Sequence, residues 1–135
     1  MKNALLAARL IFGAWMLVNG LSHFFGPFYP APSGTGPLAV QLMGALVHIG
    51  LLDVAMGIQL VTGALILVGV FVPAALCVVM PITVCAAYWA VILEQEPVGA
   101  LLALVAVALN ALLMLAYLDY YKGVLERHPL AIGEA

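Results

Sequence analysis

The chain has 135 residues, 67% of them apolar and only 7% charged, with a formal net charge of −2. Soluble domains carry about 25% charged residues, so water cannot solvate most of this surface, and the lack of a basic patch excludes nucleic acid as a partner. The length suits one domain, and the surplus apolar surface calls for a lipid bilayer.

Residues 10–52, 54–93 and 97–118 contain no Asp, Glu, Lys or Arg. A bilayer core of about 30 Å needs about 20 apolar residues in a helix. The first span is expected over about 4–25. Met1-Lys2 before an apolar run also fits a secretory signal. However, the run is longer than an h-region and Arg9 interrupts it, so we read it as a crossing, with Arg9 snorkelling toward the interface. Gly26-Pro27, Pro30, Pro32, Ser33-Gly34 and Gly36-Pro37 then make a loop, beside the interfacial aromatics Phe24, Phe25, Phe28 and Tyr29.

From Pro37 to Phe71 the pattern suits one continuous helix, but that would be about 52 Å long, too long for one crossing. The expectation is a short helix over about 38–47 in the first loop, a break near Gly50, and a second span over about 51–71. Val72-Pro73 ends that span. A third span over about 74–93 contains Pro81, which should kink it. Glu94-Gln95-Glu96-Pro97 is a polar turn, the fourth span covers about 98–121, and 122–135 is a polar tail. The fold class is therefore all-α: a single integral membrane four-helix bundle with a short extra helix in the first loop. Gly50, Gly57, Gly63 and Gly69 give the second span a small-residue surface for close helix contact.

All four basic residues, Lys2, Arg9, Lys122 and Arg127, flank the chain ends. The positive-inside rule puts both termini in the cytoplasm, which demands an even number of spans and agrees with four. The expected location is the inner (cytoplasmic) membrane.

Polar residues inside spans are costly and invite a functional reading. Asp53 is the one acid within an expected span. His23, His48, Asp53, Glu94 and Glu96 all fall near the outer boundary. Together they would form a polar cluster suited to a quinone head group or a divalent metal. No ligand motif with diagnostic spacing is present, so no metal is assigned. The competing reading is that each is an interfacial side chain, with Asp53 favoured by a helix N-terminus. Deeper lie Asn19, Gln59, Thr62, Thr83 and Asn110, which are expected to hydrogen-bond between helices. Cys77 and Cys85, eight residues apart, would be separated by about 12 Å on a helix. That is too far for a mutual disulfide, and both read as small buried hydrophobes. The sequence has no phosphate loop, paired-Cys motif or serine nucleophile elbow.

The runs Ala8-Arg9-Leu10-Ile11-Phe12-Gly13 and Asn19-Gly20-Leu21-Ser22-His23-Phe24 resemble the opening helix of DoxX-like membrane proteins. Gly50-Leu51-Leu52-Asp53, Gln59-Leu60-Val61-Thr62-Gly63, Phe71-Val72-Pro73 and Met80-Pro81-Ile82 are similar to that family's second and third helices. The resemblance covers roughly residues 5–120. It implies four spans and a link to membrane redox complexes of the quinol-oxidase and thiosulfate:quinone oxidoreductase kind, with distant animal relatives acting as receptor assembly chaperones. The family often carries a Glu where Gln59 stands here, and a Gln cannot exchange a proton at neutral pH.

The resulting expectation is an accessory or quinone-contacting subunit of a membrane redox complex, not catalytic on its own, with other membrane subunits or further copies of itself as partners. The alternative is a structural or assembly factor for other membrane proteins. A small transporter ranks third, because four-span multidrug exporters depend on a Glu deep in the first span and this chain has no acid there.

Overall fold

The computed structural model describes residues 2–26 and 36–125, and every regular element among them is helical. In chain order these are α1 (Lys2–Phe25), α2 (Pro37–His48), α3 (Leu51–Val68), α4 (Val72–Tyr88), a π-helical continuation (Trp89–Glu94), α5 (Pro97–Ala116) and α6 (Leu118–Leu125). Four of them are long and apolar enough to cross a membrane: α1, α3, α4 with its π-helical extension, and α5. The short α2 sits in the first loop, as the excess length between Pro37 and Phe71 demands. The proline-rich segment 27–35 and the tail 126–135, with Arg127, lie outside the described residues.

Local chemistry sets the helix ends. Gly50 (φ 76°) and Gly69 (φ 87°) adopt the left-handed conformation that only glycine enters without a Cβ penalty, and they bracket α3. The second span therefore stops at Val68, three residues short of the expected boundary. Phe71 also takes a left-handed conformation (φ 52°) to start α4, an uncommon state for a bulky residue. Glu96 caps α5: its carboxylate accepts from the amides of Val98 (3.1 Å) and Gly99 (2.5 Å).

Two other expectations are refined. Pro81 lies within α4 and the helix continues through it; the departure from α-geometry comes later, at Trp89–Glu94, where the turns widen to π spacing. The fourth span is broken at Tyr117 (φ −100°, ψ 20°), so residues 118–125 form the separate helix α6. The Tyr121 hydroxyl donates to the Pro73 carbonyl at 2.6 Å and ties α6 to the start of α4.

The four long helices form a closed ring in which α1 neighbours α3 and α5, and α4 joins those two from the other side. The end of the bundle bearing α6 and the N-terminus of α1 is filled by Phe12, Met16, Ile66, Val72, Leu76, Val79 and Leu113. Toward the opposite end the buried residues are small or polar: Gly20, Gln59, Thr62, Thr83, Ala87, Ala90, Ala106 and Asn110. Cys77 and Cys85 are free and face outward, not into the core as expected, because α4 turns Leu76, Val79 and Thr83 inward instead.

Candidate functional site

Three regions hold the chemistry-bearing residues: the α1–α3 seam with its polar tip, a polar layer at mid-height, and a groove between α1 and α5.

The α1–α3 seam is a backbone-to-backbone contact. A Cβ on Gly63 would lie 2.5 Å from the Leu17 amide nitrogen and 3.0 Å from the Gly13 carbonyl oxygen. A Cβ on Gly20 would lie 2.7 Å from Leu60 Cβ and 2.8 Å from Leu60 Cα. Only glycine fits at such spacing, so Gly13, Gly20 and Gly63 set the interhelix distance. Of the four glycines expected to pack the second span, Gly63 alone does so. Gly50 and Gly69 cap helix ends, and Gly57 meets no atom nearer than the Phe24 ring edge at 4.0 Å. The sequence reading missed the α1 partners, Gly13 and Gly20, although their seven-residue spacing, two turns on one helix face, was the signal.

At the tip of this seam His23 Nε2 donates to Asp53 Oδ1 at 2.7 Å, the Asp53 side chain being 67% exposed. These two members of the expected outer cluster meet. His48 ends α2 and is exposed, while Glu94 closes the π-helical segment and is half-buried. Among the described residues no group of three or more His, Cys, Asp or Glu side chains could hold a metal ion. Glu96 is committed to capping α5.

Gln59, Thr62, Thr83 and Asn110 are all buried at mid-height. The expectation of hydrogen bonds between helices holds for one pair, with Asn110 Nδ2 donating to Thr83 Oγ1 at 3.3 Å across α4 and α5. Thr62 instead bonds back to the Ile58 carbonyl of its own helix at 2.6 Å, the usual intrahelical outlet for a hydroxyl. Gln59 Oε1 and Asn110 Oδ1 are buried without hydrogen-bond partners, each costing roughly 1–3 kcal/mol.

The groove opens on the other flank of α1. It is a shallow, open depression of about 470 Å³, lined by Ala14, Trp15, Val18 and Asn19 of α1 and Leu102 of α5. Its size falls within the usual ligand-site range of about 300–1,000 Å³. The walls are apolar, with Asn19 presenting almost no polar surface to the groove, and Trp15 contributes an aromatic face. Sequence reasoning found Asn19 as an intramembrane polar residue but missed Trp15, Ala14, Val18 and Leu102. Nothing separates these from other span residues until the two helices are docked.

No family model, curated protein or solved structure matches the chain.

Proposed function

We propose that this chain is a DoxX-like membrane subunit that contacts quinone as an accessory component of a membrane redox complex. The supporting observation is the α1–α5 groove: an apolar cleft between two helices of membrane-crossing length, with one aromatic wall. Apolar surface is what the ring and tail of an isoprenoid quinone need. Trp15 would supply the stacking surface for the ring. No residue lining the groove exchanges protons, so the role is to hold the quinone while a partner subunit carries out electron transfer.

In this reading both termini lie on the cytoplasmic side of the inner membrane. Arg9 sits beside Gly69, and Lys122 follows the Tyr121–Pro73 contact, so both charges belong to the same end of the bundle. That distribution is the one the positive-inside rule requires.

Tryptophan fluorescence tests the quinone reading. Trp89 donates to the Ala39 carbonyl at 3.2 Å, away from the groove. A Trp89→Phe variant therefore leaves Trp15 as the sole tryptophan emitter, and a short-chain benzoquinone should quench it saturably. Linear, unsaturable quenching equal to that of free indole in the same micelles overturns the proposal.

A second reading, as an assembly factor for other membrane proteins, draws on α2. This 12-residue helix is too short to cross a bilayer, and it exposes Leu38, Val40, Leu42 and Val47. Crosslinking in native membranes that joins α2 to another protein would favour it; recovery of the monomer alone would remove it.

A further inference from the structure

A second cavity of about 320 Å³ opens at the N-terminal end of α1 and is lined by Lys2, Leu5, Leu6, Arg9, Ala116 and Tyr117. It is separate from the groove around Trp15. At 100° per residue, Lys2, Leu5, Leu6 and Arg9 lie on roughly the opposite face of α1 from Ala14, Trp15, Val18 and Asn19.

Among the described residues the charge of this cavity is uncompensated. Lys2 and Arg9 are two helical turns apart on one face, and no carboxylate lines the walls. Neither cation belongs to an ion pair among the described residues. Among the described residues Asp119 is the acid near this end, and it is paired with Lys122 at 2.5 Å. The Arg9 guanidinium lies against Gly69, where the C-terminal dipole of α3 offsets part of its charge. Even so, Arg9 Nε is buried with no hydrogen-bond partner. A buried guanidinium N–H beside a void and a second cation needs an anionic acceptor, and phosphate oxygens match its geometry.

The apolar part of the lining identifies the carrier of that anion. Leu5 and Leu6 are 38% and 46% exposed beside the two cations, at the end of a helix of membrane-crossing length. Basic side chains at this depth with leucines just below them match a phospholipid, whose phosphate and acyl chain follow the same order. We infer that this cavity binds the phosphate of an anionic phospholipid, with Arg9 and Lys2 on the phosphate oxygens and the upper acyl chain against Leu5, Leu6 and Ala116.

The test uses the full-length protein, purified in mild detergent and stripped of lipid, with the thermal unfolding midpoint followed during titration. The three ligands are a short-chain phosphatidylglycerol, a phosphatidylcholine with the same chains, and inorganic phosphate. Phosphatidylglycerol should raise the midpoint saturably, and the other two should leave it unchanged at the same concentrations. Each removed cation should weaken the apparent affinity about fivefold, the equivalent of about 1 kcal/mol per basic side chain near a membrane surface. Lys2→Gln provides the clean measurement, because Lys2 is exposed and its loss leaves packing intact. Arg9→Gln should have the same or a larger effect. Equal stabilisation by phosphatidylcholine overturns the inference, as does full stabilisation by inorganic phosphate alone. Unchanged phosphatidylglycerol affinity in Lys2→Gln does so as well.

Discussion

The two flanks of α1 are built on opposite principles. Toward α3, glycines at 13, 20 and 63 bring the two backbones into contact, leaving no room for one added carbon at Gly20 or Gly63. Toward α5, Trp15 and Val18 line an open groove of about 470 Å³. In lipid there is no hydrophobic drive between helices, so association rests on close packing and hydrogen bonds. The closed flank therefore supplies rigidity, and the open flank is free to take a ligand from the bilayer.

The largest expected effect comes from breaking the closed flank. Gly63→Leu forces a side chain into the Leu17 backbone and should cost about 3 kcal/mol, the upper part of the usual overpacking range. Denaturant titration in mixed micelles measures this, and a change below about 1 kcal/mol would show that α1 and α3 do not pack at backbone distance.

Filling the open flank should behave differently. Ala14 is exposed at the groove, so Ala14→Phe should alter stability by no more than about 0.5 kcal/mol. The same change should abolish saturable quenching of Trp15 by quinone. Loss of both stability and quenching would mean that the groove is part of the packed core.

A comparison on the far side of the ring sharpens the contrast. The α4–α5 contact holds one buried interhelix hydrogen bond, Asn110 to Thr83. Thr83→Val should cost about 0.6 kcal/mol, the typical worth of such a bond in a membrane bundle. A loss as large as that for Gly63→Leu would make this bond, and not the glycine seam, the main clamp.

The smallest effect belongs to the polar tip. With Asp53 largely exposed, Asp53→Asn should change stability by less than about 0.5 kcal/mol, because exposed ion pairs contribute little. Groove binding should be unaffected. Weakened Trp15 quenching in Asp53→Asn would tie the tip to the ligand.

The number and order of the membrane-length helices were legible because charge-free stretches and proline–glycine breaks report directly on membrane length. The need for a break near Gly50 followed from length alone. The π-helical turn at Trp89–Glu94 and the break at Tyr117 were not legible, since both sit in sequence that reads as continuous helix. For the candidate site, depth was readable but azimuth was not. His23, His48, Asp53 and Glu94 all fall near span ends, and of these His23 and Asp53 are hydrogen-bonded to each other. The groove was invisible for the same reason, because an apolar wall residue looks like any lipid-facing residue until the neighbouring helix is in position.

The central claim is that quinone occupies the α1–α5 flank. Photolabelling with an azidoquinone in reconstituted membranes, followed by peptide mapping, tests it most directly. The account predicts label on residues 14–19 and on Leu102, competed away by unlabelled quinone. Label spread evenly over the lipid-facing surfaces of all four long helices, or resistant to competition, would contradict it.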